Sequence, residues 1–289
     1  MTTDENWCLT EDLDGFLSRA GDFLRSRPAL HNTPLTDIEK LRVGGPESGG
    51  SRTAVFGLLE SAGEVRAVLY RTPRGRLGLT SLSADRADRL AGQLADHGLE
   101  FTNALADRST ATAFAEAWRQ RTGATGELFW RTHLYRLDTL TPPHPLPPGR
   151  GRTPTAADHD QLVRWCREFC VDVDEQRSID LIDAGAWSES RFSDRHFTFW
   201  ETPDGTPASM AAATSLIGGM IRIDPVYTPA DLRGRGYAAA VTTEASRAAL
   251  AAGAREVVLF TDPDNPTSNA LYQRLGYVRI DDFAGYRFS

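Results

Sequence analysis

Two arginines and two glycines alternate between an apolar strand pattern and an alanine-rich helix pattern, in the order Arg233-Gly234-Arg235-Gly236. Glycines at such a turn let the backbone pass close to a ligand, because no side chain obstructs the approach. The helix that follows presents its unpaired first N–H groups and the positive end of its dipole to the same space. Backbone donors and positive charge bind phosphate groups. The turn therefore predicts a phosphate-binding site at the start of a helix over residues 235–252.

The elements on either side of this turn follow from hydrophobic periodicity. Residues 221–228 alternate apolar and polar side chains and end at Thr228-Pro229, where proline stops strand pairing. After the turn, apolar residues recur at helical spacing up to Gly253, a typical helix C-terminal cap. Residues 256–261 contain four consecutive apolar residues at 257–260 without alternation, which indicates a buried strand reached through a helical crossover.

The same glycines also fit a dinucleotide-binding pattern. Residues 234–239 have the spacing G-x-G-x-x-A, and Asp262 follows the next strand, where a ribose-binding acid would lie. In a dinucleotide fingerprint, however, the first glycine directly follows the strand, whereas here the polar residues 228–233 intervene. The stretch after Asp262 is also too short for the further strand–helix units of a doubly wound sheet. A dinucleotide-dependent oxidoreductase is therefore the weaker alternative.

The turn resembles more closely the acetyl-CoA-binding motif of the GCN5-related N-acetyltransferases, the GNAT superfamily. The pattern of that motif is Gln/Arg-x-x-Gly-x-Gly/Ala, and it follows a strand that pairs with pantetheine. Residues 231–236 match this pattern except at Asp231, where an acid stands in place of the usual Gln or Arg.

A second stretch, one helix and one strand downstream, resembles the other GNAT signature. That signature is an asparagine followed by a tyrosine and by a glycine–aromatic pair, which here are Asn265, Tyr272 and Gly276-Tyr277. Either motif alone is weak evidence, whereas the two at this separation are specific. The resemblance covers about residues 150–289, roughly half of the chain.

The resemblance implies an α/β (α+β) fold in which helices flank a mixed, mostly antiparallel central sheet, the GNAT fold. The N-terminal half has a similar predicted order of helix, antiparallel strands, helix, strand, helix and strand, but residues 79–90 lack a Gly-x-Gly turn. We therefore expect two GNAT-like domains in tandem. These are a degenerate N-terminal domain at residues 1–140, a proline-rich linker at residues 141–149, and an acetyl-CoA-binding catalytic domain at residues 150–289.

The activity implied by the resemblance is N-acetyl transfer, in which a primary amine directly attacks the thioester of acetyl-CoA or of another acyl-CoA. No metal takes part. The acceptor would be a small-molecule amine or a protein amine, and the protein a monomer or a homodimer. A CoA-binding regulatory or sensor protein without turnover is the alternative from a different functional class.

The resemblance also assigns roles to the residues that match the motifs. Backbone N–H groups in the glycine turn would bind the pyrophosphate, and a backbone N–H near Val226 and Tyr227 would stabilise the oxyanion. Tyr272 matches the tyrosine that protonates the departing thiolate, although a packing role beside its leucine neighbours is the alternative. The residues expected at the cofactor are Val226, Tyr227, Thr228, Arg233, Gly234, Arg235, Gly236, Tyr237, Ala238, Asn265 and Asn269.

The sequence does not identify the base that deprotonates the acceptor ammonium. Asp224 on the predicted strand is one candidate for a catalytic role, and Glu201, His196 or a chain of waters are equally compatible with the sequence. The alternative for Asp224 is a carboxylate held in a strand bulge beside Pro225. Asn265 has a similar alternative, as a turn residue.

A run of carboxylates lies where the family lines its acceptor cleft. If these groups face the cleft they would attract an ammonium ion, but a solvated helix face is the favoured interpretation. The carboxylates are Asp172, Asp174, Glu175, Asp180, Asp183 and Glu189.

Composition limits the remaining functional classes. With 289 residues and 40% hydrophobic composition, the chain can bury the cores of two domains. A net charge of −7 argues against a nucleic-acid partner, and no apolar run reaches membrane-spanning length. The first residues lack the features of a secretory signal, so we expect a cytoplasmic protein. Cys8, Cys166 and Cys170 form no metal-ligand pattern, and the latter two are expected to pack in a core.

Overall fold

The computed structural model describes residues 7–45, 50 and 52–289. Contacts divide the chain into two compact units, the first comprising Met1–Leu134, Thr261–Asp264 and Ile280–Ser289, and the second Tyr135–Phe260 and Asn265–Arg279. The predicted boundaries at residues 140 and 150 follow the sequence motifs and stay a prediction. The compact units differ from them because the C-terminal residues pack with the first unit.

The N-terminal half contains six strands and four helices within the part of it that the structure describes. In chain order they are β1 (Trp7–Thr10), α1 (Leu13–Ser26), α2 (Asn32–Gly44), β2 (Val55–Ser61), β3 (Glu64–Arg71), β4 (Arg76–Leu79), α3 (Ala84–Asp96), β5 (Asn103–Asp107), α4 (Arg108–Thr122) and β6 (Gly126–Leu137).

The C-terminal half repeats the same order of elements. They are β7 (Arg150–Arg152), α5 (His159–Asp172), α6 (Gln176–Asp183), β8 (His196–Glu201), β9 (Pro207–Ala213), β10 (Met220–Tyr227), α7 (Tyr237–Ala251), β11 (Glu256–Thr261), α8 (Pro266–Arg274) and β12 (Tyr277–Phe288). Single turns of 3₁₀ helix lie at Ala156–Asp158, Trp187–Glu189 and Ala230–Leu232.

Strand pairing repeats as well. Strands β1 to β4 pair antiparallel in sequence, and β4 pairs parallel with β5. Likewise β7 to β10 pair antiparallel, and β10 pairs parallel with β11. The expected mixed, mostly antiparallel sheet flanked by helices, repeated in tandem, is thereby confirmed. A doubly wound dinucleotide-binding sheet would instead need several adjacent parallel strands.

In the first unit, helices α3 and α4 bury their apolar faces on the strands. Leu90 and Leu94 of α3 and Phe114 of α4 are fully buried with Leu69 and Leu77 of the strands. Each helix begins at a side-chain cap, because Ser83 accepts a hydrogen bond from the N–H of Arg86 and Asp107 accepts one from that of Thr110. Residues 283–287 of β12 pair antiparallel with β5 and complete this part of the sheet.

In the second unit, β10 alternates between two cores. Ile221, Ile223 and Val226 face the cluster that contains α7 and α8, whereas Tyr227 faces the cluster that contains α5 and α6. The α5 cluster includes Cys166, Cys170 and Trp165, so the prediction that both cysteines pack as apolar groups is confirmed. The two cores fix the orientation of these four side chains of β10.

Three elements differ from the sequence-based expectation. Strand β1 and helix α2 were not predicted; α2 contains Pro34, which lies in its first turn, where the missing N–H is tolerated. The sequence pattern predicts two shorter strands at residues 277–280 and 286–288, whereas the structure has the single strand β12 over Tyr277–Phe288. Its pairing with β5 continues through Gly285. Among the described residues no helix combines the length and apolar character needed to span a bilayer.

Candidate functional site

The glycine turn lies between β10 and α7 and has the backbone that only glycine adopts readily. Gly234 and Gly236 have φ values of +77° and +83°. A methyl group added at Gly234 would meet nothing within 4 Å, and one at Gly236 would meet only Pro147 at 3.8 Å. Because Gly236 is the N-cap residue of α7, no side chain caps the first N–H groups of the helix. The first N–H groups of a helix have no partner within the helix itself.

The two arginines of the turn donate hydrogen bonds to backbone carbonyls of the segment that precedes it. The Nε atom of Arg233 donates to the carbonyl of Thr228 at 3.0 Å, and its Nη2 donates to Asp172 Oδ2 at 2.6 Å. Arg235 donates to the carbonyl of Asp231 at 3.0 Å. Both side chains remain at the exposed rim of the turn, so their charge favours an anion there. Direct phosphate contact by either arginine stays a prediction.

Strand β10 is irregular at the position where the resemblance places the oxyanion donor. Its register with β9 shifts between Ile223 and Val226, so that Asp224 and Pro225 lie opposite a single residue of β9. This β-bulge turns Val226 to the same face as Ile223. Parallel pairing with β11 ends at Arg222, opposite Val258. Backbone groups of β10 beyond Arg222 therefore lie outside the ladder with β11.

The side chains that follow the bulge are engaged in the fold. Tyr227 packs on Trp165 with ring centroids 6.2 Å apart, and its hydroxyl donates to Glu168 at 2.9 Å. Burial raises the pKa of Tyr227, and Glu168 raises it further. The Thr228 hydroxyl lies 2.8 Å from the Ser209 hydroxyl. Tyr227 and Thr228 thus contribute no free side chain to a site.

Tyr272 lies on α8 with 8% of its surface exposed and its ring edge-on to Tyr277 at 6.0 Å between centroids. Burial raises the pKa of Tyr272, and Tyr277 and the charge of Asp224 raise it further. A raised pKa favours the protonated phenol, which can donate a hydrogen bond. The Tyr277 hydroxyl, in contrast, is already bound to the Ser246 hydroxyl at 2.7 Å.

Asn265 and Asn269 hold the start of α8. The Asn265 side chain accepts from the N–H of Ser268 at 3.0 Å and caps the helix. The Asn269 amide donates to the carbonyl of Asn265 at 2.8 Å. The turn-residue alternative describes Asn265 well, and contact of either side chain with a cofactor stays a prediction.

Asp224 is held by arginines rather than free to accept a proton. Its Oδ2 accepts from Arg191 Nη1 at 2.6 Å and lies 3.8 Å from Arg195 Nη2. Burial raises the pKa of Asp224, but the charges of Arg191, Arg195 and Arg222 outweigh it and lower the pKa to about 2. A carboxylate with so low a pKa is a weak base near neutral pH. The structure therefore argues against Asp224 as general base and matches the alternative of a carboxylate held in a bulge.

The other candidate bases differ in their surroundings. Glu201 is bound by Arg152 and by Arg150 at 3.1 Å, and these hydrogen bonds lower the pKa of Glu201. His196 is exposed, with Nε2 3.1 Å from the Ser215 hydroxyl. Glu201 is thereby a poor base, whereas His196 has a ring nitrogen near the surface.

Arginines pair with several of the carboxylates that follow β7, which the sequence had left as either a cleft lining or a solvated face. Asp183 pairs with Arg167 at 2.6 Å and Glu175 with Arg191 at 2.9 Å, in addition to the pair of Asp172 with Arg233. These pairs reduce the attraction of the segment for an ammonium ion. Arg191 and Arg195 could not be predicted as partners of Asp224, because nothing in their spacing along the sequence connects them with it.

The first unit has no equivalent of the glycine turn between β4 and α3. The N–H of Leu82 donates to the Thr110 hydroxyl at 2.8 Å, and Thr80 exchanges hydrogen bonds with the backbone of Val68. Ser83 caps the first turn of α3. The N–H groups of Leu82 and Arg86 are therefore already hydrogen-bonded to side chains at the place where the second unit has an uncapped helix start.

Comparison with known proteins agrees with this geometry. The family described as "Acetyltransferase (GNAT) family" matches residues 159–277. A search of curated proteins found no match. The matched residues contain the bulge of β10, the glycine turn and α8.

Solved structures resemble the chain over nearly its whole length. It is 16% identical to a GCN5-related N-acetyltransferase from Sphaerobacter thermophilus, with 97% of this chain and 95% of that chain covered at a TM-score of 0.57. It is 14% identical to a GCN5-related N-acetyltransferase from Kribbella flavida, with 88% and 95% covered at a TM-score of 0.51. It is 12% identical to a tandem GNAT protein from the clavulanic acid biosynthesis pathway, with 98% of each chain covered at a TM-score of 0.54.

At these identities the structural likeness is one of fold, and the family match covers residues 159–277. Residues 159–277 therefore form a GNAT-family domain, and the chain carries two units with the same order of elements in tandem.

Proposed function

We propose that the protein transfers an acetyl group, or another acyl group, from its CoA thioester to a primary amine by direct attack. The observation that carries this proposal is a combination within the second unit. An uncapped helix start behind Gly234 and Gly236, a bulged β10 and the protonated Tyr272 are the parts that such a transfer needs.

Each part has one task in the proposed reaction. The first N–H groups of α7 would bind the pyrophosphate, as helix N-termini bind anions. A backbone N–H of Val226 or Tyr227 would stabilise the oxyanion, and one such donor lowers a barrier by about 2.7–4 kcal/mol. The amine nitrogen bonds to the acyl carbon, the carbon–sulfur bond breaks, and Tyr272 would give its proton to the thiolate. The proton lost by the amine passes to solvent.

We infer a small-molecule or protein amine as acceptor and a cytoplasmic location. The negative net charge disfavours a nucleic-acid acceptor. The three cysteines are free thiols, which suits a reducing compartment.

A panel of amines tests the proposal. The protein is mixed with acetyl-CoA and, in turn, spermidine, kanamycin, lysine and a peptide with a free N-terminus, and thiol release is followed with a chromogenic disulfide. We expect release that depends on one of the amines, together with an acceptor heavier by one acetyl group. Tight acetyl-CoA binding without amine-dependent release from any class would favour the sensor alternative.

We expect one acetyl-CoA to bind per chain, because the segment between β4 and α3 lacks a glycine turn and its α3 start is capped by Ser83. Ser83→Glu, at the start of α3, is expected to leave the dissociation constant of acetyl-CoA unchanged, although loss of the cap costs about 1 kcal/mol of stability. Calorimetric stoichiometry and affinity check this. A second binding event that Ser83→Glu removes would show that the first unit retains a cofactor site.

Asp231→Asn is expected to tighten acetyl-CoA binding about two- to fivefold. The exposed Asp231 carboxylate lies at the motif position where the family has Gln or Arg, and exposed charge interactions are worth roughly 0.2–1 kcal/mol. The backbone carbonyl that binds Arg235 is unchanged by this substitution. Titrations at low and high salt check the effect, which should shrink at high salt. Weaker binding by the variant would contradict a phosphate position near Asp231.

A further inference from the structure

Four charged side chains form a continuous network beneath the bulge of β10. Arg191 is at its centre, with Nε donating to the Glu175 carboxylate at 2.9 and 3.0 Å and Nη1 donating to Asp224 at 2.6 Å. Arg195, whose side chain is only 3% exposed, approaches Asp224 from a second direction at 3.8 Å. The network therefore links the segment before α6 to the bulge itself.

The position of Arg191 is fixed by rings as well as by charges. Its guanidinium carbon lies 4.5 Å from the ring centroid of Phe192 and 5.7 Å from that of Phe169. A planar guanidinium that is stacked on rings and hydrogen-bonded at two edges has one favourable orientation. Arg191 can therefore hold the Asp224 carboxylate in one place.

Asp224 is one of the two residues that create the bulge, and Val226 follows it by two positions. An anchor on the Asp224 side chain restrains the peptide groups up to Val226, where the proposed oxyanion donor lies. Reacting groups must be held within a fraction of an ångström of the productive geometry. The Asp224 carboxylate would also repel the developing oxyanion, unless a positive charge offsets it.

We propose that Arg191 is a positioning residue for acyl transfer, which holds Asp224 so that the β10 bulge keeps its backbone donor aimed at the oxyanion and offsets the carboxylate's charge. This inference rests on the proposed function of the same unit. Arg191 touches neither the acyl group nor the acceptor in this account. Its effect passes through Asp224.

The test compares Arg191→Met with Arg167→Met, using acetyl-CoA and the amine that performs best in the panel. Arg167 joins α5 to a carboxylate of α6, Asp183, which is not a member of the bulge network. We expect Arg191→Met to lower kcat roughly 10- to 100-fold, as misplacement of a reacting group does, with little change in the dissociation constant of acetyl-CoA. Arg167→Met should leave both constants unchanged.

Two further variants separate positioning from general loss of structure. Arg191→Lys keeps the charge but cannot bridge both carboxylates as a fork, so we expect only partial recovery of kcat. Adding Asp224→Asn to Arg191→Met removes the unpaired charge, and we expect kcat to rise above that of the single variant. Wild-type kcat in Arg191→Met, or equal losses in Arg191→Met and Arg167→Met, would overturn the proposal.

Hydrogen exchange over residues 220–230, followed by mass spectrometry, gives a result that does not depend on turnover. We expect faster exchange there in Arg191→Met than in the wild type or Arg167→Met. Unchanged exchange in Arg191→Met would contradict the positioning role even if transfer to amines is observed. If exchange is faster in Arg191→Met but the wild-type protein transfers to no amine, the positioning role stands and the proposed function is contradicted.

Discussion

Gly236→Glu is expected to abolish acetyl-CoA binding, with a dissociation constant at least about 100-fold higher than that of the wild type. Gly236 has a φ of +83°, a conformation that costs other residues roughly 1 kcal/mol or more. The new carboxylate would also occupy the positive end of α7, where the pyrophosphate is proposed to bind, and would repel it. Calorimetric titration with acetyl-CoA measures the loss.

Gly205→Glu is the matched control for this prediction. Gly205 has a φ of +87° and nothing within 4 Å of an added methyl group, so the backbone strain is similar. It lies in the turn between β8 and β9, away from α7, and the substitution is expected to leave acetyl-CoA affinity unchanged. Normal binding and turnover by Gly236→Glu would contradict the location of the cofactor site.

Tyr272→Phe is expected to lower kcat about 100-fold while the dissociation constant of acetyl-CoA changes little. General acid catalysis contributes a factor of this order or more, and the phenol of Tyr272 is kept protonated by burial. Removal of one hydroxyl leaves the ring contact with Tyr277 in place. Steady-state kinetics with a saturating amine, together with calorimetric affinity, separate the two constants.

Tyr277→Phe provides the comparison for Tyr272. Its hydroxyl is bound to Ser246, so the substitution should cost about 1 kcal/mol of stability and leave kcat within a factor of about two. Equal kcat values for Tyr272→Phe and the wild type would assign Tyr272 to packing. Binding of acetyl-CoA that is insensitive to Tyr272→Phe, in a protein without turnover, would again favour the sensor alternative.

Local signals predicted the elements around the site because they depend on neighbours in the sequence. The glycine turn, the helix up to residue 251 and the buried strand at Glu256–Thr261 all follow from short-range periodicity and turn chemistry. The bulge of β10 lies at Asp224-Pro225, directly before Val226 and Tyr227, where the resemblance places the oxyanion donor. A tandem arrangement followed from element order alone.

Short-range patterns in the sequence could not predict the contacts between residues that are far apart in the chain. Pairing of β12 with β5 joins residues far apart in the chain, and its two halves had been assigned as separate strands. The anchoring of Asp224 by Arg191 depends on a segment 33 residues earlier. Asp224 was considered a base because the strand pattern places it near the reaction. Its partners, which only the fold brings together, make it a poor one.

Calorimetric titration of the wild-type protein with acetyl-CoA, with CoA and NAD as comparators, tests the central claim most directly. We predict saturable binding of acetyl-CoA at one molecule per chain, binding of CoA, and no response to NAD. Absence of binding by any CoA species would contradict the assignment of the glycine turn as a pyrophosphate site, and the transferase and sensor proposals would both fail. Binding of NAD alone would restore the dinucleotide alternative.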